Sequence, residues 1–208
     1  MNLENNGERM DINYYNMNYN AFDIYQKSHY KRYEFAVTQL DKNDIVGDMA
    51  CGSGYGSMML SENCETVVGY DIDSTTVNEI QKRYINKKNV FFNIKNLLDV
   101  DDINKFDKIV SFETVEHFTE EEISKIITIF YNALKEGGKL IFSTPYNQLK
   151  CPASMKFHKC FNIVEETIIN LLAGKFEIET FYYQDYETHD FKTGGDKKDF
   201  IICVAKKI

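Results

Sequence analysis

The sequence of 208 residues lacks any apolar run near the ~18 residues that a membrane-spanning helix needs. Basic residues are also scarce, with 24 Lys and Arg against 32 Asp and Glu and a formal charge of −8. Nucleic-acid binders cluster positive charge to neutralise phosphates, so this balance disfavours them and favours a small-molecule partner. The sequence therefore predicts neither a membrane nor a nucleic-acid partner.

Cysteine is sparse too, and the five cysteines form no Cys-x-x-Cys pair. An odd number without that spacing indicates reduced thiols, and suggests neither a disulfide framework nor a thiolate zinc site. The first six residues lack the basic start and apolar run of a secretory signal. We therefore expect a cytoplasmic protein.

Strand-like and helix-like patterns alternate from residue 44 onward. Short apolar runs predict strands at 45–50, 66–70, 90–94, 108–112, 139–143, 176–183 and 200–205. Periodic apolar positions predict helices at 22–41, from about residue 74, at 119–137 and at 162–173. In the second helix, Thr76 and Glu79 have capping-box spacing, and Asn162 is the predicted cap of the last.

This alternation predicts an α/β fold. We expect a doubly wound, mainly parallel seven-stranded sheet of Rossmann-like type, with an antiparallel C-terminal strand. Residues 1–43 are interpreted as an N-terminal lid segment and helix, and residues 44–208 as the ligand-binding domain. In such sheets the ligand binds beyond the carboxyl ends of the strands, so we look for chemistry there.

A glycine-rich turn follows the first strand, in Cys51-Gly52-Ser53-Gly54-Tyr55-Gly56. Asp71 ends the next strand, and 71 − 52 = 19 is near the ~20-residue spacing of a carboxylate that binds ribose. A nicotinamide dehydrogenase is the alternative, but the third glycine comes one residue early for its G-x-G-x-x-G motif. Asp48 would also repel a pyrophosphate and attract a cationic ligand, which favours S-adenosylmethionine.

Four segments resemble successive motifs of the class I S-adenosylmethionine-dependent methyltransferases over about residues 44–150. These segments begin at Val46, Val68, Phe106 and Leu134. The resemblance implies that Gly52 and Gly54 pass under the methionine part of the cofactor, that Asp71 binds the ribose, and that Ile72, Asn96 and Leu97 flank adenine. Asn96 stands where the family usually has aspartate. The full predicted cofactor set is Asp48, Ala50, Cys51, Gly52, Gly54, Asp71, Ile72, Asn96, Leu97, Phe112 and Arg32.

The N-terminal segment is similar to that of a subgroup associated with surface-polysaccharide and sugar biosynthesis. The similarity lies in Gly7-Glu8-Arg9-Met10 and in His29-Tyr30-Lys31-Arg32-Tyr33. In that subgroup the N-terminal segment and first helix close over the cofactor. The resemblance therefore makes Tyr14, Tyr19, His29 and Arg32 candidates for lid or carboxylate contacts.

Glu113-Thr114-Val115-Glu116-His117 directly follows the fourth strand, where the transferred methyl group should point. A histidine there can take the proton from an attacking hydroxyl, and its ordinary pKa near 6.5 suits a general base. We predict His117 and Glu113 as catalytic residues. The alternative is that Glu116 and His117 only cap a helix or bind a loop.

The same residues match the E-x-x-E-H pattern that binds a divalent cation in small-RNA 3′-terminal 2′-O-methyltransferases. By that resemblance Glu113, Glu116, His117 and His158 are candidate ligands of Mg²⁺ or Mn²⁺. Metal-free relatives carry a similar Glu-His pair, so a site without metal stays open.

The resulting hypothesis is an S-adenosylmethionine-dependent enzyme that methylates an oxygen of a small polar acceptor. The N-terminal resemblance favours a sugar or activated precursor of a surface glycan, in phosphorylated or nucleotide-linked form. Predicted acceptor contacts are Tyr14, Tyr146, Asn147 and Lys150, and Lys150 with Lys156 would bind a phosphate. Two alternatives stay open: a metal-dependent RNA-terminal 2′-O-methyltransferase, and a non-catalytic cofactor-binding partner subunit.

Overall fold

The computed structural model describes residues 9–196 and 198–208, so predictions on residues 1–8 lie outside the described part of the chain. Within these ranges no helix combines the length and the apolar character that crossing a membrane requires. The strands form a single mixed sheet, and helices cover both of its faces. The predicted α/β, Rossmann-like fold is confirmed.

The sheet of the described residues has eight strands in the order β3-β2-β1-β4-β5-β8-β6-β7. Strands β1 to β5 are parallel, whereas β8 runs antiparallel between β5 and β6. The bounds are β1 (Ile45–Met49), β2 (Thr66–Asp71), β3 (Val90–Ile94), β4 (Phe106–Phe112), β5 (Leu134–Pro145), β6 (Phe176–Gln184), β7 (Phe191–Lys192) and β8 (Phe200–Lys207).

Five α-helices pack on the sheet within the described residues: α1 (Ile24–Val37), α2 (Tyr55–Leu60), α3 (Ser74–Arg83), α4 (Glu120–Ala133) and α5 (Glu165–Leu172). Side chains of α1, α2 and α3 fill one apolar core, and those of α4 and α5 fill the core on the opposite face. Both faces of the sheet are thus buried, as expected for strands that read as continuous apolar runs.

The N-terminal caps of two helices differ from the sequence prediction. Helix α3 is capped by Asp73, whose carboxylate accepts from the N–H groups of Thr75 and Thr76, and not by a box formed by Thr76 and Glu79. Helix α5 begins at Glu165, because Asn162 adopts a left-handed φ of 55° that a helix cap does not use.

Strand β5 begins five residues earlier than predicted, directly after α4 ends at Ala133. Its pairing with β4 shifts from Phe106↔Leu134 to Lys108↔Lys139, so the Gly137-Gly138 pair forms a bulge inside the strand. Strand β7, of two residues, is the eighth strand that the prediction lacked. It is too short to leave an alternating pattern in the sequence.

Candidate active site

The carboxyl ends of β1, β2, β4 and β5 meet at one edge of the sheet because these strands are parallel. The turn after β1 is left-handed at Ala50 (φ 65°), Gly52 (φ 53°) and Gly54 (φ 73°). A Cβ on Gly54 would lie 2.9 Å from Cζ of Phe92, so only glycine fits there. The turn therefore presents bare backbone at this edge.

The turn after β1 is joined to the end of β2 through Asp71. The N–H of Gly52 donates to Oδ2 of Asp71 at 2.9 Å, and the N–H of Asp73 donates to Oδ1 at 3.0 Å. These bonds fix the direction of the carboxylate, and each oxygen keeps a further lone pair. Asp71, the predicted ribose-binding residue, is thus in direct contact with the glycine turn that is predicted to lie under the methionine part of the cofactor.

Of the three residues predicted to flank adenine, Ile72 is 67% exposed beside Asp71. Leu97 is buried, and the side-chain oxygen of Asn96 accepts from the N–H of Leu98, so it caps the turn that follows. Phe112, at the end of β4, is buried with its ring edge-on to Tyr33. Ile72 is therefore the member of this group that offers an exposed apolar surface.

Asp48 lies beneath the turn and not on its surface. Its carboxylate is fully buried and accepts from the hydroxyls of Tyr33 at 3.0 Å and Ser57 at 2.5 Å. Burial raises the pKa of Asp48 to about 6, although both hydroxyls act in the opposite direction. The interpretation that Asp48 directly attracts a cationic ligand is thus corrected: this carboxylate supports the turn from below.

Arg32 of α1 is 2% exposed and reaches the edge of the sheet near the start of β8. Its Nη1 donates to Oε1 of Gln184 at 2.9 Å, and its guanidinium lies 4.2 Å from the ring centroid of Phe200. Its buried Nε has no hydrogen-bond partner among the described residues. An orphan donor of this kind is costly unless a ligand satisfies it, so Arg32 fits the predicted contact with a carboxylate.

His29 and Tyr55 join α1 to the start of α2. His29 Nδ1 lies 2.5 Å from the Tyr55 hydroxyl; Tyr55 is buried and His29 is half-buried. Burial, together with the charge of Arg32, holds the pKa of His29 well below its usual value. His29 is therefore neutral at pH 7 and fixes the position of α1 over the turn.

The sequence analysis did not single out Arg9 as a site residue, although it lies in the Gly7-Glu8-Arg9-Met10 segment. Nη1 of Arg9 pairs with Oδ2 of Asp73 at 2.8 Å, and a Cβ on Gly52 would lie 3.5 Å from Arg9 Cγ. The hydroxyl of Ser53 also donates to the carbonyl of Met10 at 2.7 Å. The start of the described chain therefore lies across the glycine turn.

Tyr14 is placed away from this edge. Its backbone N–H donates to the hydroxyl of Tyr84 at 3.1 Å, and its own hydroxyl donates to Glu62 at 3.2 Å. Tyr84 and Glu62 follow the C-terminal ends of α3 and α2, which lie at the amino ends of the strands. Tyr14 therefore contacts the C-terminal ends of α2 and α3, at the opposite edge of the sheet from Tyr146, Asn147 and Lys150.

The two acidic residues after β4 are both held by β5. Glu113 adopts a left-handed φ of 49°, and its carboxylate accepts from Ser143 Oγ at 2.7 Å. Glu116 is 2% exposed and accepts from Thr144 Oγ1 at 3.2 Å. Burial raises the pKa of Glu116 well above its usual value, and the nearby charge of Glu113 adds to the effect.

Glu116, His117 and His158 form a cluster whose ligand atoms all lie within 4.8 Å of one another. His158 Nδ1 lies 2.6 Å from Oε1 of Gln148, and His117 Nδ1 lies 3.2 Å from the carbonyl oxygen of Phe157. Both partners are hydrogen-bond acceptors, so in the neutral form of either imidazole the proton lies on Nδ1 and the lone pair on Nε2.

Glu113 is not part of this three-residue cluster. The predicted four-ligand set is corrected to Glu116, His117 and His158, because Glu113 turns to Ser143 instead. Gln148 and the Phe157 carbonyl orient the two histidines, and sequence reasoning missed both. Gln148 is 10 residues from His158 and Phe157 is 40 residues from His117, so no local pattern reveals these contacts.

The remaining predicted acceptor contacts lie after β5. The hydroxyl of Tyr146 donates to Oε2 of Glu165 at 2.9 Å, and the ammonium of Lys150 lies 5.6 Å from the ring centroid of Phe161. Asn147 has a left-handed φ of 48°, and its N–H donates to the carbonyl of Ile163 at 2.8 Å. Tyr146 is thus engaged in a structural hydrogen bond at this edge.

Two surface cavities lie apart from the glycine turn. One, of about 550 Å³, is lined by residues of α4 and α5 such as Ile123 and Asn170. The other, of about 470 Å³, lies beside β2 and β3 and includes Tyr70 and Lys105. Neither cavity is lined by Asp71 or His117, so the candidate site rests on side-chain geometry and not on cavity size.

Residues 46–138 match the model of a family described as "Methyltransferase domain". A protein of Mycolicibacterium smegmatis named "Probable S-adenosylmethionine-dependent methyltransferase" is 28% identical over 100 residues. That match covers 48% of this chain and only 37% of the length of the relative.

Solved structures show the same fold. An N-methyltransferase from Bradyrhizobium japonicum in complex with S-adenosyl-L-homocysteine is 14% identical, with a TM-score of 0.69 over 90% of this chain and 89% of that one. The magnesium protoporphyrin IX methyltransferase of Synechocystis, with bound S-adenosylhomocysteine, is 20% identical. Its TM-score is 0.68 over 88% of this chain and 84% of that one.

Proposed function

We propose that this protein is an S-adenosylmethionine-dependent methyltransferase, because residues 46–138 match the family model described as "Methyltransferase domain" and solved methyltransferase structures share its fold. We propose that it acts on an oxygen of a small polar acceptor, such as a sugar or activated precursor of a surface glycan. The main support for the proposal is the hydrogen bond between Gly52 and Asp71. It joins the glycine turn, whose backbone no side chain covers, to the carboxylate that follows it by 19 residues.

In this proposal each group at the edge has a separate task. Asp71 accepts hydrogen bonds from the ribose hydroxyls, and the backbone of Gly52 and Gly54 lies against the methionine part. Ile72 offers its exposed side chain to adenine. Arg32, with its orphan Nε, receives the cofactor carboxylate. Asp48 acts indirectly, by holding the turn through Ser57 and α1 through Tyr33.

In this proposal the acceptor binds beside the carboxyl ends of β4 and β5. Methyl transfer forms a bond from the acceptor oxygen to the methyl carbon, while the carbon–sulfur bond breaks and its electron pair stays on sulfur. The acceptor proton passes to Nε2 of His117, which holds a lone pair because Nδ1 is bound to the Phe157 carbonyl. Aligning the two reactants provides most of the rate enhancement, and the base adds to it.

A hydroxyl-rich acceptor suits the acidic residues of the site. Glu113, which is half-buried at this edge, has a carboxylate that can accept hydrogen bonds from sugar hydroxyls. Lys150 and Lys156, in the loop after β5, are the cationic groups proposed for a phosphate on the acceptor. The sugar assignment also draws on the resemblance of the N-terminal segment, and we expect the enzyme to work in the cytoplasm.

As an alternative to the proton-accepting role of His117, we propose that Glu116, His117 and His158 hold a divalent cation. Nε2 of His117 would then be a ligand of the ion and not the base. Two imidazole nitrogens and one carboxylate oxygen suit a transition ion such as Mn²⁺ better than Mg²⁺, which prefers oxygen ligands. A bound ion would lower the pKa of an acceptor hydroxyl and position it. This cluster is also what favours the second candidate, a metal-dependent RNA-terminal 2′-O-methyltransferase, although the charge of −8 opposes RNA binding.

The proposal is tested by calorimetry and by acceptor screening. Titration with S-adenosylhomocysteine should give saturable binding, and titration with NAD should give none. Extracts and sugar libraries incubated with S-adenosylmethionine should yield a product that has gained one methyl group in mass spectrometry. Binding without any methylated product across these libraries would favour the non-catalytic partner subunit. Binding of NAD with no response to S-adenosylhomocysteine would refute the cofactor assignment.

A further inference from the structure

The loop between β5 and α5, residues 146–164, has a closed base and an exposed tip. At the base, the N–H of Asn147 donates to the Ile163 carbonyl at 2.8 Å, and the N–H of Asn162 donates to the Gln148 carbonyl at 3.1 Å. We call residues 149–157 the tip; all of them except Ser154 are exposed. The tip therefore projects from a base that the backbone holds shut.

The tip combines large apolar side chains with basic ones. Leu149 is 72% exposed, Met155 is 60% exposed and Phe157 is 39% exposed. Lys150 and Lys156 lie between them in sequence, and residues 148–160 contain no Asp or Glu. In a chain with a formal charge of −8, this is a local concentration of positive charge and exposed apolar surface.

Hydrogen bonds inside the tip hold its shape. The N–H of Met155 donates to the Cys151 carbonyl at 2.9 Å, and the N–H of His158 donates to the Ser154 carbonyl at 2.8 Å. The backbone of these residues is therefore ordered by its own turns. The exposed apolar side chains of the tip have an unfavourable free energy of hydration, and burial against a partner would remove it.

We propose that this tip binds the surface of an anionic lipid bilayer. A protein partner usually needs about 20–30 residues a side, and eight exposed residues are too few. They suffice for interfacial insertion, in which apolar side chains enter the headgroup boundary and Lys side chains contact anionic lipids. The sequence predicts no membrane partner on the ground that nothing can span a bilayer, and surface binding needs no spanning segment.

The charges around the base fit this orientation. Lys159 lies 3.7 Å from Glu122 in the first turn of α4, so that acidic turn is partly neutralised at the base. Lys150 and Lys156, the groups proposed for a phosphate on the acceptor, would contact the phosphates of anionic lipids by the same charge attraction. The N–H groups of Lys159 and Cys160 donate to the Glu116 carbonyl, so the tip and the catalytic cluster are joined by backbone hydrogen bonds.

This junction has a consequence that rests on the proposed function. With the tip in the bilayer, the cluster of Glu116, His117 and His158 lies at the membrane surface. The acceptor would then be a sugar hydroxyl on a lipid-linked glycan precursor, which deepens the proposed acceptor class, and not a freely diffusing sugar. The docking itself requires neither cofactor nor acceptor, so its failure is distinguishable from failure of the methyltransferase assignment.

The test is co-sedimentation of the full chain with vesicles, without cofactor. Vesicles that contain phosphatidylglycerol should pellet the protein, vesicles of phosphatidylcholine alone should pellet much less, and added salt should release it. Leu149→Asp, and independently Met155→Asp, should lower binding by roughly tenfold or more, since each removes inserted apolar surface. Ile103→Asp is the matched control, because Ile103 is also 72% exposed but lies beside Asp101 and Asp102.

A charge pair completes the test. Lys156→Glu should weaken binding to anionic vesicles, whereas Lys88→Glu, at an exposed site before β3, should not. Unchanged calorimetric affinity for S-adenosylhomocysteine in all variants would show that they are folded. No pelleting with anionic vesicles, equal pelleting with both lipids, or equal losses in the tip and control variants would each overturn the proposal. Concentration-dependent dimerisation that the tip variants abolish would instead assign the tip to a second copy of the chain.

Discussion

The hydroxyl of Tyr33 donates to Oδ1 of Asp48 at 3.0 Å, which ties helix α1 to strand β1, directly before the glycine turn. The ring of Tyr33 lies over Gly56, where a Cβ would come within 2.0 Å of Cζ. Helix α1 is therefore packed into the domain through a buried polar contact. We propose that only the residues ahead of α1 act as a lid, and that α1 itself is a wall of the site.

Gly56→Ala should displace Tyr33 and with it helix α1. Overpacking of this kind costs about 1–3 kcal/mol of unfolding free energy, and the affinity for S-adenosylhomocysteine should fall as well. Denaturant unfolding and calorimetry measure the two effects. Gly194→Ala is the control, since a Cβ there meets nothing within 4 Å. Equal stability of the two variants would show that Tyr33 moves aside without cost.

Asp71→Ala should weaken S-adenosylhomocysteine binding by about 1.5–3 kcal/mol, because charge-assisted hydrogen bonds to the ribose are lost. Isothermal titration calorimetry measures the change. Asp101→Ala is a suitable control, because Asp101 is exposed and pairs only with the surface residue Lys95 among the described salt bridges. Wild-type affinity in Asp71→Ala would contradict the assigned role of this carboxylate.

His117→Asn should lose about 10²–10⁴-fold in turnover while the cofactor affinity stays nearly unchanged. The amide keeps a polar group of similar reach, but it cannot accept the proton of the acceptor. Steady-state rates with the identified acceptor, together with calorimetry, separate the two effects. Near-full turnover in this variant would return His117 to a helix-capping or loop-binding role.

Gln148→Leu should weaken Mn²⁺ binding by about 10–100-fold, because the oxygen that orients His158 is removed. The affinity is measured by titration calorimetry with Mn²⁺ alone, independently of activity. Gln39→Leu, on the loop after α1, is the control. Identical Mn²⁺ affinity in both variants, or no Mn²⁺ binding by the wild type, would refute the proposed cation site.

Asp48 should make the protein less stable as the pH rises. Burial raises its pKa to about 6 from a usual value of 3.8, so the folded chain holds this proton more tightly than the unfolded chain. Its contribution is complete below about pH 4 and is lost as the pH rises through about 6, a change of about 3 kcal/mol.

The measurement for Asp48 is a comparison of unfolding free energies across pH. The unfolding free energy of the wild type minus that of Asp48→Asn should fall as the pH rises from about 4 to about 6, since asparagine does not titrate. Parallel pH profiles of the two proteins would mean that Asp48 titrates alike in the folded and unfolded states.

Local features of the sequence determined the order of strands and helices. The capping box of Thr119 and Glu122 and the apolar period after it predicted α4 from its first residue, and both features act within one or two helical turns. The turn at Gly52 and Gly54 was likewise predictable, because a left-handed backbone demands glycine locally. The spacing to Asp71 then followed from the length of one strand–helix–strand unit.

The tertiary structure alone decided how the side chains of the site are used. Asp48 was predicted to face a ligand, yet packing of Tyr33 and Ser57 encloses it. Glu113 and Glu116 look equivalent in the sequence and both accept a hydrogen bond from β5, but Glu113 turns to Ser143 and away from the histidines, whereas Glu116 stays beside them. Periodicity along the chain reports only which face a residue occupies, whereas these assignments depend on contacts between residues far apart in sequence, which form when the sheet and its loops pack together.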